Sequence, residues 1–143
     1  MSYEERRIWV YLVTSAGAYG VYLVIVVGRV LHTPVAQVPY GWPLLWTSVA
    51  SMIASMVGLM LVETARPSDS YRSDVRDKDI SRFGEHTSRW FVIAGAGAAF
   101  GMAVARWDYF WIANVIYLGF VLWAIVGSVL KLVAYRRGLR PTS

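Results

Sequence analysis

The chain has no cysteine among its 143 residues and only two histidines, His32 and His86. Without thiols there is no disulfide framework, no thiolate metal site, no iron–sulfur ligation and no cysteine nucleophile. Two histidines placed at opposite ends of an apolar run are about a membrane thickness apart, which excludes paired haem ligation. No His and carboxylate cluster has zinc-ligand spacing. The Gly-rich run from Gly95 to Gly101 lies inside an apolar stretch, so it is not a phosphate-binding loop. Charge is also missing from the middle of every apolar run, where an ionisable group costs about 2.5–3.5 kcal/mol on insertion scales and would mark function. Small multidrug-resistance transporters need an acidic residue within their first span. Here that stretch holds only Thr14 and Ser15, and the family is excluded.

What the chain has instead is apolar length. The apolar content is 57% and the mean hydropathy +0.45, above the usual range of a soluble domain of this size. Four runs are candidate spans: about 8–31, 43–64, 90–105 and 110–133. Each approaches the length that crosses about 30 Å of hydrocarbon, the third being short. The first is too long for a signal-peptide core, although Arg6 and Arg7 precede it. The expected fold is therefore all-α: a polytopic four-helix transmembrane bundle of two helical hairpins in a single domain, 1–143.

The net charge of +5 and pI near 9.7 are consistent with nucleic acid, but the basic residues form no face or arm, and no nucleic-acid partner is expected. They collect at the ends of the apolar runs. Arg6 and Arg7 precede the first; Arg66, Arg72, Arg76, Lys78, Arg82 and Arg89 lie between the second and third; Lys131, Arg136, Arg137 and Arg140 mark the tail. The two short loops are bordered only by Arg29 and Arg106. The positive-inside rule then puts both termini and the segment of about 65–89 in the cytoplasm, with the plasma (inner) membrane of a bacterium as the expected location. Aromatic residues agree: Trp9, Tyr11, Trp90 and Tyr135 on the inner side, Tyr40, Trp42, Trp107 and Trp111 on the outer.

Small residues four apart permit the close backbone approach by which helices associate in lipid. Ala16 with Gly20, Ser51 with Ser55, and Gly97 with Gly101 form such seams, the last a literal GxxxG. They serve packing within one chain or contact between copies. The third helix is accordingly expected at the centre of the bundle or at a homo-oligomer contact.

Two polar regions remain. At the outer face, Arg29 and His32 of the first hairpin are near enough to meet Arg106, Asp108 and Asn114 of the second. That patch reads either as a site for a small ligand or partner loop, or as an ion pair of Asp108 with Arg106 or Arg29 beside a capping Asn114. In the central segment, a helix beginning at Ser73 or Asp74 and running towards the third span would align Ile80, Phe83, Thr87 and Trp90, with Gly84 as a weak point. This element reads as a docking site for a cytoplasmic partner, or as a juxtamembrane helix seated on the bilayer.

Within it, Asp74, Arg76, Asp77 and Ile80 form the pattern D-x-R-D-x-x-I between two hydrophobic hairpins. The pattern and topology resemble a family of uncharacterised small bacterial and archaeal predicted membrane proteins with four spans and such a motif before the third. The resemblance implies the fold and no activity; Val75 stands where an acidic residue is common.

The sequence thus points to a non-enzymatic accessory, assembly or regulatory membrane protein without a cofactor, whose partners are the bilayer and either its own copies or a larger membrane complex. The alternative is a small oligomeric transporter or channel lined by Thr14, Ser51, Ser55 and Asn114. A third reading is an accessory subunit of a respiratory complex.

Overall fold

The computed structural model describes residues 2–65 and 75–138. Among these the chain is all-helical, with four α-helices: α1 (Tyr3–Val30), α2 (Gly41–Ala65), α3 (Val75–Val104) and α4 (Tyr109–Arg137). A 3-10 turn, Val35–Gln37, lies between α1 and α2.

Local chemistry explains where the helices start and stop. Ser2 begins α1 as half of a capping box: the Glu5 amide donates to Ser2 Oγ at 3.2 Å, and the Ser2 amide donates to Glu5 Oε2 at 2.8 Å. Pro43 sits in the first turn of α2, where its missing N–H costs no helical bond. Asp108 caps α4 by accepting from the Phe110 amide at 3.1 Å. Arg106, at φ 58°, turns the chain out of α3 in the left-handed region. Gly138, at φ 76°, ends α4 in a conformation a side chain would resist.

Three helices, α1, α2 and α4, are long and apolar enough to cross a membrane. α3 is not; in it the expected charged juxtamembrane helix and the short third apolar run form one helix, unbroken through Gly84. Its first half carries Asp77, Asp79 and Glu85, and its second is rich in glycine and alanine.

The hairpins pair as α1 with α2 and α3 with α4, and they join through α1 against α4. α3 packs mainly on α4, so it lies at the edge of the assembly and not at its centre. One end of the bundle carries the N-terminus, the C-terminus of α4 and the start of α3; the other carries the two connections between paired helices. These are called the terminal end and the loop end below.

Packing differs between the halves. Where α3 crosses α4, glycines face glycines: a Cβ on Gly119 would stand 3.1 Å from the Phe91 carbonyl oxygen and 3.4 Å from Gly95 Cα. Lower down, a Cβ on Gly84 would meet the Lys131 side chain and the Gly127 carbonyl, and one on Gly127 would stand 2.9 Å from Ser88 Oγ. The buried face of α3 therefore runs through Ile80, Gly84, Ser88 and Ala99. Only Ile80 of the expected Ile80, Phe83, Thr87, Trp90 face belongs to it; Phe83 and Trp90 are exposed. Close backbone approach selects the small side of the helix over the bulky one.

α1, α2 and α4 are instead joined by polar side chains. Thr14 and Ser55 hydroxyls are 2.6 Å apart, Thr47 and Tyr117 hydroxyls 3.1 Å apart, and Tyr22 donates to Asn114 Oδ1 at 2.7 Å. Tyr19, Tyr22 and Tyr117 form one aromatic cluster, with ring centroids 5.0–6.2 Å apart. Tyr22 is wholly buried, with Val26, Val38 and Phe110 around it, and this is the core at the loop end.

Candidate functional site

The terminal end carries the richest constellation of polar groups, drawn from three helices. α1 and α3 both rest on α4, and between them lies a furrow of about 380 Å³. Its rim holds Glu4 and Arg7 from α1, Glu85 from α3, and Lys131 and Tyr135 from α4; Ile8, Tyr11, Trp123 and Ala124 line it further in. The helical period puts Glu4, Ile8 and Tyr11 on one face of α1, and Ala124, Ser128, Lys131 and Tyr135 on one face of α4.

The rim groups are paired. Lys131 Nζ donates to Glu85 Oε1 at 3.2 Å, and Ser81 Oγ donates to the same oxygen at 3.1 Å. Burial pushes the Glu85 carboxyl up, but the Lys131 bond and charge, the Ser81 hydroxyl and Arg89 outweigh it and hold the group below the usual glutamate range. Arg7 Nη1 lies 3.4 Å from Glu4 Oε1, and its guanidinium stands over the Tyr3 ring at 5.7 Å. The buried Nε of Arg7 meets no acceptor among the described residues. Tyr135 donates to Asp77 Oδ1 at 2.6 Å. Burial, then that bond and the charges of Asp77, Glu4 and Glu5, push the phenol well above its ordinary 10.0. Beside the furrow, Tyr3 donates to Glu63 of α2 at 3.2 Å.

A second void, of about 320 Å³, shares Ala124 with the furrow as a lining residue and lies nearer the loop end between α1, α2 and α4. Ser15, Ala18, Ser48, Ser51 and Val121 line it. The Ser48 hydroxyl is turned into its own helix, donating to the Leu44 carbonyl at 2.8 Å, which leaves this wall less polar than its composition.

The residues singled out from the sequence are distributed as follows. Arg76, Asp77 and Ile80 lie in the first turns of α3; Asp77 holds Tyr135 and Ile80 is wholly buried, while Asp74 lies outside the described residues. Ser55 pairs with Thr14, and Ser51 lines the second void. Ala16 and Gly20 are exposed, and so are Gly97 and Gly101, where an added Cβ would meet nothing within 4 Å. No side-chain hydrogen bond or ion pair among the described residues links the five loop-end residues to one another. Arg29 donates to the Pro39 carbonyl, Asp108 caps α4, and Asn114 turns inward to Tyr22 while its amide donates to the Phe110 carbonyl at 2.8 Å. His32 follows α1 and Arg106 turns the chain after α3. Among the described residues the ion pairs are Lys131 with Glu85 and Arg7 with Glu4, neither at the loop end. No group of three or more His, Asp or Glu among them is placed to hold a metal ion.

No sequence pattern marks the partners of Lys131 or Glu63. Glu85 and Lys131 are 46 residues apart, and Tyr135 and Asp77 are 58 apart, so no local spacing signals either pair. A scan of family models, a search of curated proteins and a search of solved structures each returned no match to this chain.

Proposed function

We propose that this chain is an integral membrane protein of four spans, with both termini on the cytoplasmic side of a bacterial plasma membrane, and that it works without catalysis as an accessory, assembly or regulatory subunit through helix packing. Three apolar helices support the bilayer setting. Large apolar side chains such as Val24, Trp46, Met52 and Phe100 are exposed on the bundle, an arrangement suited to lipid. The fourth span rests on register. Gly84 of α3 lies beside Lys131 of α4, and Gly95 beside Gly119, so α3 runs along α4 and shares its depth. On that register α3 would enter the hydrocarbon near Glu85 and leave near Val104, about 30 Å at 1.5 Å per residue. The orientation rests on the excess of Lys and Arg at the terminal end over Arg29 and Arg106 at the loop end.

The single observation that carries the assembly reading is the open space at Gly97 and Gly101. The chain uses Gly84, Gly95, Gly119 and Gly127 to bring α3 onto α4, yet its GxxxG pair faces away from every other helix. Such a face suits close approach by a helix of another copy or of a larger membrane complex. Arg76 and Asp77, in the first turn of α3, would lie on the cytoplasmic side, in keeping with the resemblance noted above.

The experiment is gentle detergent extraction followed by mass determination of the intact assembly. A homo-oligomer or a hetero-complex is expected, and the Gly97→Ile, Gly101→Ile double variant is expected to reduce it to folded single chains. A bare monomer of the unaltered protein would overturn the reading.

A further inference from the structure

From the charged furrow and the void that shares Ala124 with it, we infer a binding site for one phospholipid with a zwitterionic, primary-amine headgroup, of the phosphoethanolamine class. The inference rests on the bilayer setting proposed above and needs no assembly partner.

Shape comes first. α1 and α3 both lean on α4 with little contact between themselves, which leaves a furrow with a charged mouth and apolar walls. Ala124 lines both the furrow and the second void. Along the shared face of α1, the two run from Arg7 to Ala18, about 16 Å at 1.5 Å per residue. That is about half of a 30 Å hydrocarbon core, the depth an acyl chain occupies in one leaflet. A polar mouth at the boundary and an apolar trough one leaflet deep fit a lipid better than a water-soluble ligand.

Charge then selects the headgroup. The mouth offers two cations, Arg7 and Lys131, and two carboxylates, Glu4 and Glu85, so it carries no net charge. An anionic lipid would meet both carboxylates, and an uncharged headgroup would offer the two cations no anion and the two carboxylates no cation. A zwitterion answers both: its phosphate accepts from Arg7 and Lys131, and its ammonium faces Glu4 and Glu85. The carboxylates accept hydrogen bonds, which a primary ammonium donates and a quaternary choline does not. On Glu85 both existing donors, Lys131 and Ser81, approach the same oxygen, Oε1.

The test uses the full chain, reconstituted in phosphatidylcholine nanodiscs doped with equal small fractions of phosphatidylethanolamine and phosphatidylglycerol, then released for native mass spectrometry. Retention of one ethanolamine lipid per chain, at least fivefold over either competitor, is expected. The Arg7→Gln, Glu85→Gln double variant is expected to lose that preference, and Arg136→Gln, an exposed change outside the furrow, to keep it. Equal retention of the three lipids, preference for the glycerol lipid, or a preference that survives the double variant would overturn the inference. Should the double variant not fold, a photoreactive acyl-chain ethanolamine lipid on the unaltered protein decides: crosslinks concentrated on Ile8–Ala18 and Trp123–Ala124 support the site, and crosslinks spread evenly over the outer face of α2 reject it. Release of the protein from membranes by alkaline carbonate would instead remove the bilayer setting itself, an outcome read separately from headgroup choice.

Discussion

The α3–α4 hairpin and the α1–α2 hairpin solve the same packing problem with different means. α3 meets α4 backbone to backbone, with Gly84, Gly95, Gly119 and Gly127 removing the side chains that would hold them apart. α1 meets α2 and α4 through hydroxyls, an amide and a tyrosine cluster, with Gly58 under Val10 as the one close glycine contact between α1 and α2. In lipid there is little hydrophobic gain from bringing helices together, so van der Waals contact and hydrogen bonds must do it. The glycine seam obtains contact over a long line, whereas the polar bridges obtain a few strong points. Errors should therefore be costly anywhere along the first and local in the second.

The largest effect is expected at the glycine seam. Gly119→Val would drive two methyl groups at the Phe91 carbonyl and Gly95 Cα, backbone atoms that cannot swing aside. Overpacking of this kind costs about 1–3 kcal/mol, and this change belongs at the upper end. Gly97→Val, on the same helix pair but facing open space, should change the stability of the single chain by less than about 0.5 kcal/mol. Reversible unfolding in mixed micelles measures both. Equal losses would erase the distinction between the inward and outward glycines, and with it the basis for an assembly face.

Next in size is Tyr22→Phe, which tests the polar half at its most buried point. The change keeps the ring in its cluster but leaves Asn114 Oδ1 without the Tyr22 donor, at a cost of about 1 kcal/mol. Thr14→Val with Ser55→Ala should show a smaller coupling in a double-mutant cycle, about 0.6 kcal/mol, because Thr14 Oγ1 also donates to the Val10 carbonyl at 2.8 Å and keeps that bond when Ser55 alone is replaced. A coupling above that of Tyr22 with Asn114 would reverse the ranking of the bridges.

These contrasts also show which features the sequence made legible. α1, α2 and α4 announce themselves through long apolar runs, a signal that depends only on composition and length. α3 is legible as a helix that starts near Ser73 or Asp74 and runs towards the third apolar run, but not as a span by hydropathy, because charges at its start and glycines at its end dilute the signal. Its packing face is no easier to pick out from the sequence. Ile80, Phe83, Thr87 and Trp90 look like an anchoring stripe, but large residues there face outward while Gly84 and Ser88 take the contact. Likewise GxxxG names a helix able to approach another closely, without saying which; the seam actually used pairs Gly95 with Gly119 across two helices. The furrow was least legible, since its carboxylates and cations come from three helices and look like boundary charges until register aligns them.

The smallest effect concerns the Lys131–Glu85 pair, which bridges the glycine seam by side chains and so combines both modes. Its carboxyl lies below the ordinary value of 4.5, against the upward push of burial, so the charged form is the one the fold favours. The contribution is present above the unfolded value and is lost as pH falls through the lower folded one. Glu85 is more than half exposed, so screening limits the pair to about 0.3 kcal/mol. Lys131→Met removes the two largest opposing influences and leaves Ser81 and Arg89 against burial, so the Glu85 carboxyl should move upward in a carbon-detected NMR titration. The acid-dependent part of stability between pH 7 and pH 3 should shrink with it. A Glu85 that titrates at the same pH in both proteins would mean that Lys131 does not set its charge, and that the furrow mouth is held by the glycine seam alone.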